Sequence, residues 1–235
     1  MAYVKKTAYD FWYVYFLDDV SKPQVLVVVE SAPNNQLLRE EIRRTWGHAC
    51  ITNHESWCSL VFILGQLKNP LDPLQHELKQ EHEQYGDILQ DSFIDSYNNL
   101  TIKSIHVLKY FNSVCNQIGN KFLLKTDDDS FIHLEGLWRV VKYRLAQKSN
   151  DLVGFLQLEW SKNNPWHKPL AHKPTRKNLQ KSEWERWLIP NYMYSKKFFP
   201  KFLSGSGYLV THKASKCILE KSKVIATKIL VVLHD

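Results

Sequence analysis

Phe122-Leu123-Leu124-Lys125-Thr126-Asp127-Asp128-Asp129-Ser130-Phe131-Ile132 runs from an apolar triplet straight into three consecutive carboxylates. Phe122 to Leu124 reads as a buried strand, which places the acidic triplet at the strand's carboxyl end. The same punctuation recurs upstream. Val25 to Val29 is a β-branched run after Pro23, and Leu60 to Leu64 is another, stopped by Gly65. Between these runs lie helical spacings: Leu37 to Trp46 with Asn34 or Asn35 as a cap, Leu74 to Tyr85 after Pro70 and Pro73, and Leu100 to Val114. Leu134 to Leu145 is the next helix. Strands alternating with helices through residue 145 predict an α/β layered domain with a mainly parallel central sheet. Residues 155 to 205, rich in Trp, Pro and Lys, lack a clear period and read as long ordered loops. In open α/β sheets such loops gather beyond the carboxyl ends of the strands, where ligands bind.

Three adjacent carboxylates repel one another unless a cation neutralises them. Hard divalent cations such as Mg²⁺ or Mn²⁺ take oxygen ligands and bind through one or two carboxylates together with substrate phosphates. Asp127-Asp128-Asp129 therefore reads either as an exposed acidic turn or as a metal-diphosphate site, and the apolar Phe131-Ile132 that follows favours the second.

Composition narrows the classes. The chain has 235 residues, 44% hydrophobic and 23% charged, which is ordinary for a globular domain and excludes a disordered one. Its net charge of +7 suits phosphate-bearing ligands as well as nucleic acid, and charge alone is no ground for expecting nucleic acid. Cys50, Cys58, Cys115 and Cys217 show no zinc spacing; an even count permits two disulfides and equally suits a reducing compartment. Asn99-Leu100-Thr101 is an N-glycosylation sequon, which makes Asn99 a candidate glycan site in a secretory-pathway protein. The apolar runs Phe11 to Leu17 and Ile229 to Leu233 are too short to span a bilayer, so the chain reads either as soluble in the cytosol or as joined to an N-terminal membrane anchor outside this sequence.

Further patterns carry a resemblance. Arg39-x-x-Ile42-Arg43-x-Thr45-Trp46-Gly47 is followed by Phe62-Ile63-Leu64-Gly65, by Glu81, and by Tyr85-Gly86-Asp87-Ile88-Leu89. Phe93-x-Asp95-x-Tyr97-x-Asn99-Leu100-Thr101-x-Lys103, Cys115, Lys125-x-Asp127-Asp128-Asp129 and Phe199-Pro200-x-Phe202-x-Ser204-Gly205-Ser206-Gly207-Tyr208 complete the series. In that order they resemble the β-1,3-galactosyltransferase family over most of the chain, from Arg39 to Tyr208.

The resemblance implies a GT-A-like fold and an inverting hexosyltransferase. The sugar would pass from a UDP-sugar (galactose, N-acetylgalactosamine or N-acetylglucosamine) to the 3-hydroxyl of an acceptor glycan on a glycoprotein or glycolipid. It implies Mn²⁺, with Mg²⁺ as the substitute, and a Golgi luminal setting. Asp127 and Asp129 would frame the metal, with Asp128 near the nucleotide. Arg39 and Arg43 would approach the nucleotide or its phosphates, and Lys103 would either join them or be a helix-surface lysine. Gly205 and Gly207 would admit the sugar or turn the backbone sharply. Trp46 and Tyr97 are expected in the core, while Trp160, Trp166, Trp184 and Trp187 would stack on sugars or pack loops. The family places its base in a later E-D-V segment. Here Leu233-His234-Asp235 stands near that place, so Asp235 is the catalytic candidate. The expected organisation is an extension over 1–22 and a transferase domain over 23–235. Its nucleotide-sugar part covers about 23–150, its acceptor loops about 151–235, and it is incomplete at the C-terminus. The alternative is an impaired, truncated member that binds only UDP and metal.

Overall fold

The computed structural model describes residues 24–52, 57–118, 121–147, 152–157 and 202–232. A six-stranded sheet of order β3-β2-β1-β4-β6-β5 is its centre. The strands are β1 (Val25–Glu30), β2 (Cys58–Gln66), β3 (Ile88–Ile94), β4 (Phe122–Asp127), β5 (Leu152–Gln157) and β6 (Phe202–Thr211). β1 pairs in parallel with both β2 and β4, and β2 with β3, whereas β6 runs antiparallel to β4 and β5. This is the α/β, mainly parallel, GT-A-like arrangement that the alternation and the resemblance predict.

Both faces of the sheet are covered, which is why the central strands are apolar without alternation. Val25, Val27 and Val29 point with Phe62 and Leu124 into one core, toward Ile42 and Trp46 of the first helical segment, Leu78 and Val141. Leu26, Val28, Ile63 and Leu123 point the other way, onto Val107, Leu108 and Phe111. The covering helices are α1 (Gln36–Arg44), α2 (His48–Thr52), α3 (Pro73–Tyr85), α4 (Leu100–Ile118), α5 (Leu134–Gln147) and α6 (His212–Val232). α3 shows the local logic well: Asp72 caps it by accepting from Leu74 N at 3.0 Å, and Pro73 occupies its first turn. Gly86 ends it at φ 68, the left-handed conformation that favours glycine.

The chain lays down β1, steps outward through β2 and β3, then returns to the other side of β1 with β4. The carboxyl ends of β1 and β4 are therefore a topological switch point, and Glu30 lies opposite Asp127 there. The same pattern had not been legible for β3, for α2 or for β6 and α6. Of the loops expected over 155–205, residues 155–157 belong to β5 and 202–205 to β6, and the remainder lies outside the described residues. The late apolar run begins within α6. No helix among the described residues is long and apolar enough to cross a membrane. The expected 1–22 extension lies outside them.

Candidate donor site

An open cleft of ≈ 1030 Å³ lies over this switch point, ample for a nucleotide-sized ligand. Its walls come from the β1–α1 turn (Ser31 to Asn35), from Asp95 to Tyr97 and Leu100 with Lys103 and Ser104, from Asp127 to Asp129, and from Gly205 and Ser206 of β6. Five carboxylates (Glu30, Asp95, Asp127, Asp128, Asp129) face three lysines (Lys68, Lys103, Lys125). Two of those lysines are internally committed, so the open part of the cleft is anionic.

Lys125 is 4% exposed. Its Nζ lies 2.5 Å from Asp127 Oδ1, 2.7 Å from the Gly205 carbonyl oxygen and 3.1 Å from Glu30 Oε2. Burial works against its charge, yet Glu30 and Asp127 together push its pKa upward. Burial also pushes the Glu30 carboxyl up, against the pull of Lys125 and of Ser104, whose hydroxyl donates to Glu30 Oε1 at 2.8 Å. Tyr208, opposite Lys125 in the β4–β6 register, has its phenol raised by burial beside the same groups. Lys103, also buried, donates to the Ser31 carbonyl at 2.9 Å and pairs with Asp95 at 2.8 Å. It is a cleft-floor residue rather than a helix-surface lysine.

The three aspartates are held differently. Asp127 accepts from Lys125 through Oδ1 and is 38% exposed. Asp128 Oδ2 accepts from Asn35 Nδ2 at 2.9 Å, and its backbone N–H donates to Glu30 O at 3.2 Å. Asn35 precedes α1 but turns its amide to Asp128 instead of capping the helix. Asp129 is exposed on the turn and makes no hydrogen bond or ion pair within the described residues. No three His, Cys, Asp or Glu side chains among the described residues form a ready metal cage. The donor set still fits a hard cation that draws its remaining ligands from a diphosphate and water: Asp127 and Asp128 each keep one carboxylate oxygen outside these bonds, and Asp129 keeps both.

Arg39 and Arg43 do not reach the cleft, contrary to the expectation that they touch the nucleotide. Arg39 is fully buried, bonded to Glu81 through Nε and Nη2 and to Ser31 Oγ, Ala32 O and Pro33 O. Arg43 is shared between Glu81 and Asp87, with Tyr85 under its guanidinium at 4.0 Å. Burial works against the Arg43 charge, but the bonds to Asp87 and Glu81 raise its pKa. Burial likewise opposes ionisation of Glu81, and the two arginines hold its carboxyl below the ordinary range. Arg39 thus shapes the cleft from behind by fixing the carbonyls of its β1–α1 wall.

Gly205 and Gly207 lie in extended β6 and not in a sharp turn. Among the described residues a Cβ on Gly205 would meet nothing within 4 Å, and one on Gly207 would make ordinary contact with Thr126 Oγ1 at 3.6 Å. Trp46 is buried as expected, but Tyr97 is 42% exposed and lines the cleft. Asn99 donates one N–H of its side-chain amide to Ile94 O at 2.8 Å and has a second left over. Asp235, Trp160, Trp166, Trp184 and Trp187 lie outside the described residues. Reading from the sequence missed Glu30, Asn35 and Lys125. A lone charge ending or interrupting an apolar strand, as in Val25–Glu30 and Phe122–Asp127, was the available signal.

The geometry has counterparts. The family described as Galactosyltransferase matches residues 38–230. The chain is 33% identical over 192 residues to the rat "UDP-GlcNAc:betaGal beta-1,3-N-acetylglucosaminyltransferase 7", covering 80% of this chain and 43% of that protein. It is 26% identical over 211 residues to "Lactosylceramide 1,3-N-acetyl-beta-D-glucosaminyltransferase A" of Xenopus laevis, covering 88% and 51%. Mouse "Beta-1,3-galactosyltransferase 2" is 26% identical over 201 residues, covering 85% and 43%. The chain spans about half the length of these curated relatives. A match across most of its residues, on a fold whose switch point carries the Asp triplet, means that the chain belongs to the galactosyltransferase family.

Proposed function

We propose that this chain is the nucleotide-sugar-binding part of an inverting β-1,3-glycosyltransferase. It takes a UDP-linked hexose or N-acetylhexosamine as donor and the 3-hydroxyl of a terminal glycan sugar as acceptor. The observation that carries the reading is Asp127-Asp128-Asp129 on the β4 end at the sheet's switch point, in an anionic cleft. Such a cleft repels a bare diphosphate, so donor binding there requires a cation. Asp129, with the open oxygens of Asp127 and Asp128, would hold Mn²⁺, or Mg²⁺ in its place, which would supply positive charge to the departing diphosphate. Asn35 orients Asp128, Lys125 cancels the charge of Asp127, and Lys103 secures the Ser31 wall against Asp95. The names of the relatives support the donor and linkage classes, and the Cys50–Cys58 disulfide supports an oxidising secretory compartment such as the Golgi lumen.

Calorimetric titration of UDP with Mn²⁺ and with EDTA tests this. Binding in Mn²⁺ that weakens by about tenfold or more in EDTA is expected, within the usual range of site-site coupling. Equal binding in both, or none in either, overturns the reading.

A further inference from the structure

We infer that Lys68 is a specificity residue of the donor site, selecting uracil over cytosine by donating to the 4-carbonyl of the base. The inference rests on the donor reading above and assigns the nucleoside to the end of the cleft opposite the Asp triplet.

The cleft has two unlike ends. Its carboxylate end follows β4, and β6 lies beyond it with Gly205 and Ser206. The large apolar side chains of the lining, Pro33, Leu67, Leu74, Tyr97 and Leu100, all follow β1, β2 or β3, and none follows β4 or β6. A flat heteroaromatic base fits that apolar end. Glu30 lies opposite Ile63 of β2 on one side and Asp127 of β4 on the other, so the β2 and β4 ends are two strand spacings apart, about 10 Å. A nucleoside diphosphate laid from the triplet across β1 brings its base to the β2 side.

Lys68 stands there, two residues past the end of β2 at Gln66. It lines the cleft, is exposed, and makes no hydrogen bond or ion pair among the described residues. Lys103 and Lys125, by contrast, are spent on Asp95 and on Glu30 with Asp127. An ammonium donates three N–H bonds and accepts none. The substituent of a pyrimidine farthest from the ribose is that at position 4, a carbonyl acceptor in uracil and an amino donor in cytosine. Reaching in from the far wall, Lys68 bonds the carbonyl, whereas the amino group meets a positive charge and no acceptor. The 2-carbonyl, common to both bases, lies beside the ribose and gives no discrimination. A polar contact of this kind rejects the analogue that cannot complete it.

The test is calorimetric titration with UDP and with CDP, both in Mn²⁺, of the natural chain and of Lys68→Met, Lys68→Arg and Lys68→Glu. The position is exposed, so these substitutions should leave the thermal melt unchanged. UDP should bind the natural chain about tenfold or more tighter than CDP, the usual scale of a well-placed base contact. Lys68→Arg, also a donor only, should keep the preference. Lys68→Met should cut it below about threefold, chiefly by weakening UDP, and Lys68→Glu, an acceptor, should turn it toward CDP. A natural chain that does not distinguish the two nucleotides overturns the inference, as does a Lys68→Met variant that keeps the preference. Equal weakening of UDP and CDP in Lys68→Met also overturns it, by placing the ammonium on a phosphate. Binding of neither nucleotide by the natural chain refutes the donor reading itself, an outcome distinct from the other three.

Discussion

Arg39 Nε and Nη2 meet Glu81 Oε1 and Oε2 at 2.8 and 2.7 Å, joining two residues 42 positions apart in an ion pair closed to water. The arginine also bonds Ser31, Ala32 and Pro33, so one side chain ties α3 to the turn that walls the cleft. Arg39→Met strands part of the Glu81 charge and should cost about 3–5 kcal/mol in urea unfolding. Arg44→Ala, which removes an exposed pair with Glu41, should cost less than about 1 kcal/mol. If Arg39→Met loses UDP affinity at unchanged stability, Arg39 contacts the nucleotide after all.

Acid should unfold the domain through the same cluster. Burial opposes ionisation of Glu81 and Asp91, but the arginines in one case, and His106 with the Ser92 amide in the other, hold both carboxyls below their ordinary range. A depressed folded pKa gives stability that is full above the unfolded carboxylate value, about 4, and is lost as pH falls below it. Glu30 works in the opposite sense, because its folded pKa is raised. Urea midpoints should stay level from pH 7 to about 5 and drop steeply below about 4, and Glu81→Gln should flatten that drop. A profile unchanged by Glu81→Gln would assign the acid sensitivity to other groups.

Cys50 and Cys58 close a loop of 8 residues between α2 and β2. Loop-closure entropy for that length predicts a loss of about 2–3 kcal/mol for Cys50→Ser/Cys58→Ser. Cys115 and Cys217 are outside any disulfide among the described residues, the first buried and the second exposed, so alkylation without reductant should label Cys217 alone among these four. Labelling of Cys50 or Cys58 under those conditions would contradict the pairing.

Asn99 is a further point of decision. Its side-chain amide donates to Ile94 O, and its neighbours Tyr97, Leu100 and Thr101 line the cleft. A glycan takes the place of one amide hydrogen while the other still donates to Ile94 O. Protein secreted from glycosylating cells should therefore be heavier by one glycan with Asn99 than with Asn99→Gln at this position. Masses without that difference would show the sequon unused.

Strands β1, β2 and β4 were legible because each is a short apolar run bounded by Pro, Gly or acid. β3 was not: Ile88-Leu89-Gln90-Asp91-Ser92-Phe93-Ile94 carries Gln90 and Asp91, whose burial depends on partners far away in sequence, Gln75 and His106. β6 was missed because Ser204-Gly205-Ser206-Gly207 reads locally as a turn, and its ladder with β4 supplies the extended conformation. The Asp triplet announced itself by charge at a strand end. The roles of Arg39 and Arg43 did not, since a buried guanidinium and a ligand-facing one look alike in sequence until Glu81 and Asp87 are placed beside them.

The Arg39–Glu81 brace also bears on how quickly a donor can be captured. Ser31 to Pro33 are pinned during folding, so the conformational entropy of that wall is surrendered once, when the chain folds. An incoming nucleotide meets a finished surface there and loses little further freedom of the protein to it. On this side of the cleft, encounter should be governed by diffusion and charge rather than by waiting for a loop to close.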